Sequence, residues 1–131
     1  FVNSVALDDP TALRIANEVG SRLAEASFDK GLSTTRTFRT AGAEDVLEWT
    51  DAYNDSRNKE GTVCKRTGTN GDYYGVLRGA SNVQVPGLII EHGFHTVPEV
   101  RQAAVNEDLK NVWSKADAEG IAAGFDLLEN E

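Results

Sequence analysis

The chain has no methionine and a single cysteine, Cys64, among its 131 residues. One thiol excludes an internal disulfide and any metal site built from several cysteines. With neither histidine near it in sequence, Cys64 reads as an incidental thiol, although Lys65 and Arg66 follow it directly. The missing methionine extends to position 1, and residues 1–5 read as a strand already under way, so a processed or trimmed piece is expected. Long apolar runs are absent too. The longest, residues 85–90, is broken by Pro86 and Gly87 and falls far short of the roughly 18 residues a membrane helix requires. Basic residues are outnumbered, 13 Lys and Arg against 21 Asp and Glu, for a formal net charge of −8. That balance repels nucleic-acid phosphates and anionic lipid surfaces. It reads as an acidic surface kept for solubility and identifies no substrate.

Hydrophobic residues make up 40% of the chain, enough for one packed domain and against disorder. Asp8-Asp9-Pro10 is a helix start: Asp9 suits the cap, Pro10 the first turn, and the acidic pair the positive end of the dipole. Ala12, Ile15, Ala16, Val19, Leu23 and Ala26 then recur at helical spacing, predicting a helix to about Phe28 that stops near Gly31. A second strand is expected within residues 32–40 and a short helix over 44–53. A mobile polar loop is expected over 54–71, and a further strand over 73–77. The run Leu88-Ile89-Ile90, behind Pro86, reads as a central strand. Thr96 and Glu99 are spaced as a capping box for a short helix to about Ala104. Leu109, Val112, Trp113, Ala116, Gly120, Ala123 and Leu127 line one face of a closing helix. Strands alternating with helices predict an α/β domain: a parallel-rich mixed sheet flanked by helices, truncated at its N-terminal side.

The chemistry concentrates in Leu88-Ile89-Ile90-Glu91-His92-Gly93-Phe94-His95. Three apolar residues lead into a carboxylate, followed by two imidazoles. Ligand crevices in open α/β sheets lie beyond the carboxyl ends of strands, which is where Glu91 is expected, with little water around it and suited to proton transfer. The other open reading is structural, with Glu91 paired to a cation such as Arg78. Glu91 and His92 are adjacent and would face opposite ways on a strand, so a site using both needs the chain to turn at Gly93. Trp49, Tyr53, Tyr73 and Tyr74 offer either an aromatic binding surface or core packing.

The segment resembles the zinc-dependent N-acetylmuramoyl-L-alanine amidases. These carry, late in the domain, an apolar strand ending in Ile-Glu-x-Gly-Phe before a Thr/Ser-rich turn, here residues 88–96. The family's Leu-Arg pair ahead of a Pro-led strand is matched by Leu77-Arg78 and Val85-Pro86. Asp72-Tyr73-Tyr74-Gly75-Val76 before the arginine is similar to the Gram-positive branch. Val97 departs from the family's asparagine, and residues 41–71 look like an insertion. The resemblance implies that residues 1–131 are the C-terminal part of one amidase catalytic domain, extracellular or bound to the cell wall, with peptidoglycan as partner. It implies Glu91 as catalytic acid/base, Arg78 orienting Glu91 or binding a substrate carboxylate, and His95 lining the pocket. The Zn²⁺ ligands would all lie upstream of Phe1, none within this chain. Two alternatives remain: a non-catalytic cell-wall-binding module on the same scaffold, and a different metal hydrolase using Glu91, His92 and His95.

Overall fold

A computed structural model describes residues 1–33, 42–50 and 60–128. The first helix forms as its start signal predicts. Asp9 Oδ1 accepts from the amides of Thr11 and Ala12 at 2.9 and 3.0 Å, satisfying donors a helix start leaves open, and Pro10 occupies the first turn. Helix α1 (Pro10–Asp29) runs for 20 residues. Its buried face carries Ala12, Leu13, Ile15, Ala16, Val19 and Ala24.

Against it lies a row of four short extended segments. Leu47–Glu48 (β1) pairs in parallel with Cys64–Lys65 (β2). Val2 donates to the Cys64 carbonyl at 2.8 Å, which seats residues 1–3 beside β2. On the far side, Val2 forms an antiparallel bridge with Leu88. Thr67–Gly68 (β3) and Gly71–Asp72 (β4) make a separate antiparallel hairpin. The architecture is therefore mixed helix and small sheet, with one parallel and two antiparallel pairings among the described residues. Val2, Ala6, Ala12, Leu13, Ala16, Val46 and Val63 form the core between α1 and the row, with Leu7 and Leu88 packed against it.

One polar side chain sits at the centre of this core. Asn3 is fully buried and uses both ends of its amide. Its Oδ1 accepts from Ala6 N and Gly87 N, each at 2.9 Å. Its Nδ2 donates to Val85 O at 2.8 Å and Leu77 O at 3.4 Å. The first segment, the 3₁₀ turn Val5–Asp8, the helix bearing Leu77 and the run 85–88 are thereby tied at one point.

Several expectations change. Residues 73–77 do not form a strand: helix α2 (Gly75–Asn82) begins there, burying Leu77 while Val76 stays exposed. One inward face per turn suffices on a surface helix, which a short apolar run does not distinguish from a strand. The helix expected over 44–53 is a 3₁₀ turn, Ala43–Asp45, followed by β1. Residues 60–71 are not all loop, since Val63 and Cys64 enter the core; the apparent insertion thus supplies two strands of the row. Helix α3 (Pro98–Ala103) is capped at Val97 with no side-chain hydrogen bond, so the Thr96–Glu99 box does not form. The segments expected over 34–40 and 51–59 fall outside the described residues.

Helix α4 (Glu107–Gly124) starts at Asn106, whose side chain accepts from Leu109 N at 3.1 Å. It crosses α1 closely because its contact face is nearly bare. A methyl group at Gly120 would sit 2.6 Å from Val19 Cα, and one at Gly124 2.6 Å from Ile15 Cα. Both clashes are with backbone, which cannot swing aside. Gly79 on α2 is the natural control, since a Cβ there meets nothing within 4 Å.

This packing can be tested by stability. Asn3→Ala takes this partner from two N–H groups, Ala6 and Gly87, and two carbonyls, Val85 and Leu77, and an unsatisfied buried group costs about 1–3 kcal/mol. Urea unfolding should therefore show a loss of at least about 3 kcal/mol; a loss under about 1 kcal/mol contradicts the hub. Gly120→Ala should lower Tm, because overpacking at about 1–3 kcal/mol outweighs the roughly 1 kcal/mol of helix propensity gained. Gly79→Ala collects only the gain and should raise Tm slightly. Equal Tm values for the two variants would sink the close-crossing account.

Candidate functional site

Among the described residues a cleft of about 430 Å³ opens between α1, the row of strands and the chain leaving it after Leu88. Val19 and Leu23 of α1 form one wall, Phe1 and Trp49 another, and Leu88, Ile90 and Phe94 a third. Glu91 stands in this lining at the end of the apolar run. It reaches that place because the preceding residues are tied down. Asn3 N donates to Gly87 O at 3.1 Å and Ile89 N to Phe1 O at 2.9 Å. Beyond Ile89 the pairing ends, and Glu91 emerges exposed to solvent. The expectation of little water around it is therefore corrected: the cleft is open at this end.

No hydrogen bond or ion pair engages the Glu91 carboxylate among the described residues. Arg78 is occupied elsewhere, its Nη1 donating to the carbonyls of Asp72 and Tyr73 at 2.9 and 3.1 Å. Those bonds close the turn leading into α2. Arg78 neither lines the cleft nor pairs with Glu91, so its expected orienting role is not seen.

The turn falls at His95 and Thr96 rather than at Gly93, and Gly93 takes a φ of +152. A Cβ there would lie 2.7 Å from Val100 Cγ1, so α3 closes over Gly93 only because the side chain is absent. His92 lines the cleft alongside Glu91. His95 is not brought in. It sits exposed in the bend before α3 and is not part of the cleft lining.

Two residues that sequence reasoning does not single out meet His92. Its Nε2 lies 2.8 Å from Asp117 Oδ2. Its ring lies against Trp113, 5.5 Å between centroids at 36°. Trp113 and Asp117 are four apart on α4 and so share a face, but nothing in their spacing points to residue 92. The aromatic residues mostly pack on one another. Phe1 meets Trp49 and Tyr74 edge to face at 5.7 and 5.0 Å, and the Arg66 guanidinium lies 3.7 Å from the centre of the Tyr73 ring. Tyr53 lies outside the described residues.

No three His, Cys, Asp or Glu side chains converge into a metal-binding group among the described residues. Glu91, His92 and His95 do not form the ligand set of a separate metal hydrolase: His92 is turned to Asp117, and His95 stands outside the cleft. No helix among the described residues is long and apolar enough to cross a membrane. In comparisons with protein-family models, with curated proteins and with solved structures, nothing matches this chain.

Proposed function

We propose that this chain is part of a zinc-dependent N-acetylmuramoyl-L-alanine amidase acting on peptidoglycan outside the cell, and that Glu91 is its acid/base residue. The reading rests on the motif around Glu91 and on one structural observation. Glu91 is a carboxylate without a partner among the described residues, held at the rim of a largely apolar cleft. A carboxylate already committed to an arginine would be a poor proton carrier; a free one beside a substrate cleft can serve as base and then as acid. The bond cleaved would be the amide between the muramic acid lactyl group and L-alanine. Water adds to the amide carbon as Glu91 takes its proton. The C–N bond then breaks as Glu91 returns that proton to the leaving nitrogen.

In this reading the small sheet is the C-terminal part of a larger parallel-rich sheet, whose opening strands lie upstream. The described residues do not themselves fit a zinc site, and neither proton transfer by Glu91 is routed through the metal. Its ligands are assigned to the sequence preceding Phe1. Arg78 shapes the turn ahead of α2 in this account, and His95 faces solvent.

The test is Glu91→Gln in the protein that carries this chain together with its preceding sequence. The neutral amide keeps the shape but cannot accept the proton. Release of L-alanine amino groups from purified peptidoglycan should fall by about 10²- to 10⁴-fold, with zinc content and thermal unfolding unchanged. Retention of most of the activity refutes the assignment.

A further inference from the structure

The segment that presents Glu91 is poorly anchored except at one point. Residues 91–96 belong to no helix or strand. Within the bend itself, Val97 N donates to Phe94 O at 3.0 Å. Among the described residues, the hydrogen bond that joins 91–96 to another element is the one from His92 to Asp117. It spans 25 positions of sequence and ties the segment to α4. The anchor is itself well founded, since Trp113, against which the imidazole rests, is buried.

Asp117 is an expensive residue to keep where it is. Its Oδ1 is buried without a hydrogen-bond partner among the described residues, and an orphaned buried acceptor is costly to keep. An alanine here would remove that cost and suit the helix better. A side chain that leaves one buried oxygen unpaired while its other oxygen makes a single long-range contact is a candidate for a role other than stability.

We infer that Asp117 is a positioning residue: it holds His92 against Trp113 and thereby fixes the segment 91–93, which sets the Glu91 carboxylate at the cleft rim. The hold is stiff because the segment has no slack on its other side, where Val100 occupies the space a Cβ at Gly93 would need. The part of this inference that concerns catalysis rests on the proposed amidase reading. The part that concerns the segment does not.

The experiment separates the two. In this chain, Asp117→Ala should mobilise the amides of Glu91, His92 and Gly93 in ¹⁵N relaxation, from order parameters of about 0.85 towards 0.6. Asp117→Asn, whose amide can still bond the imidazole nitrogen, should keep them ordered. In the protein with its preceding sequence, Asp117→Ala should lower kcat roughly 10- to 100-fold, as expected of a misplaced reacting group. KM should change little, and Asp117→Asn should restore most of the rate. Unchanged order in Asp117→Ala, with the fold intact by the remaining amide spectrum, overturns the inference whatever the activity. Loss of order together with a wild-type protein that cleaves no peptidoglycan upholds the anchor and removes the amidase reading.

Discussion

Asn3 carries four hydrogen bonds in a place where water cannot reach, and the geometry of the candidate site descends from them. Its acceptor oxygen binds the amides of Ala6 and Gly87. Its donor nitrogen binds the carbonyls of Val85 and Leu77. The run 85–90 contains Pro86, which has no amide to give, and among the described residues its pairing with the first segment is confined to the bridge around Val2 and Leu88. So short a pairing would register the run weakly by itself. A buried side chain with every hydrogen-bonding position used makes the register specific, because a one-residue slip would orphan several polar groups at once.

From that anchor the placement of Glu91 is a matter of chain direction. Gly87 and Ile89 are bonded into the row, and the chain leaves it immediately afterwards, at the mouth of the cleft. The wall opposite comes from α1, held by α4 through a crossing that only glycine permits at positions 120 and 124. The same α4 carries Trp113 and Asp117 to the back of the segment after Glu91. Stability and site geometry are thus built on shared elements, with the first segment and the last helix bracing residues 87–93 from two sides.

What is legible in the sequence is local. Asp9-Pro10 with its periodic apolar face is enough for α1, and Glu107 to Gly124 for most of α4. Glu91 stands out because it ends an apolar run. Elements whose identity depends on distant partners are not legible in this way. Val76-Leu77 looks extended in isolation but becomes helical because Leu77 alone needs to reach the core, beside Asn3. Cys64-Lys65 sits in a polar stretch and becomes a strand because Leu47 and Val2 lie on either side of Cys64. Thr96 and Glu99 have the spacing of a capping box, yet Val97 and Pro98 start that helix. The motif implies a role for Arg78 at Glu91, but a six-residue reach back to Asp72 O claims its guanidinium first. Asp117 is invisible for the same reason: a 25-residue separation from His92 leaves no periodic trace.

The central claim is that the scaffold presents a free Glu91 carboxylate to a peptidoglycan stem at the cleft. It is tested most directly by titrating this chain, labelled with ¹³C at glutamate side chains, with a soluble N-acetylmuramoyl dipeptide. The account predicts a saturable shift of the Glu91 carboxyl carbon, together with the amides of Leu88 and Phe94, while Arg78 and His95 stay still. Saturable binding that leaves Glu91 and the cleft residues unmoved would contradict it.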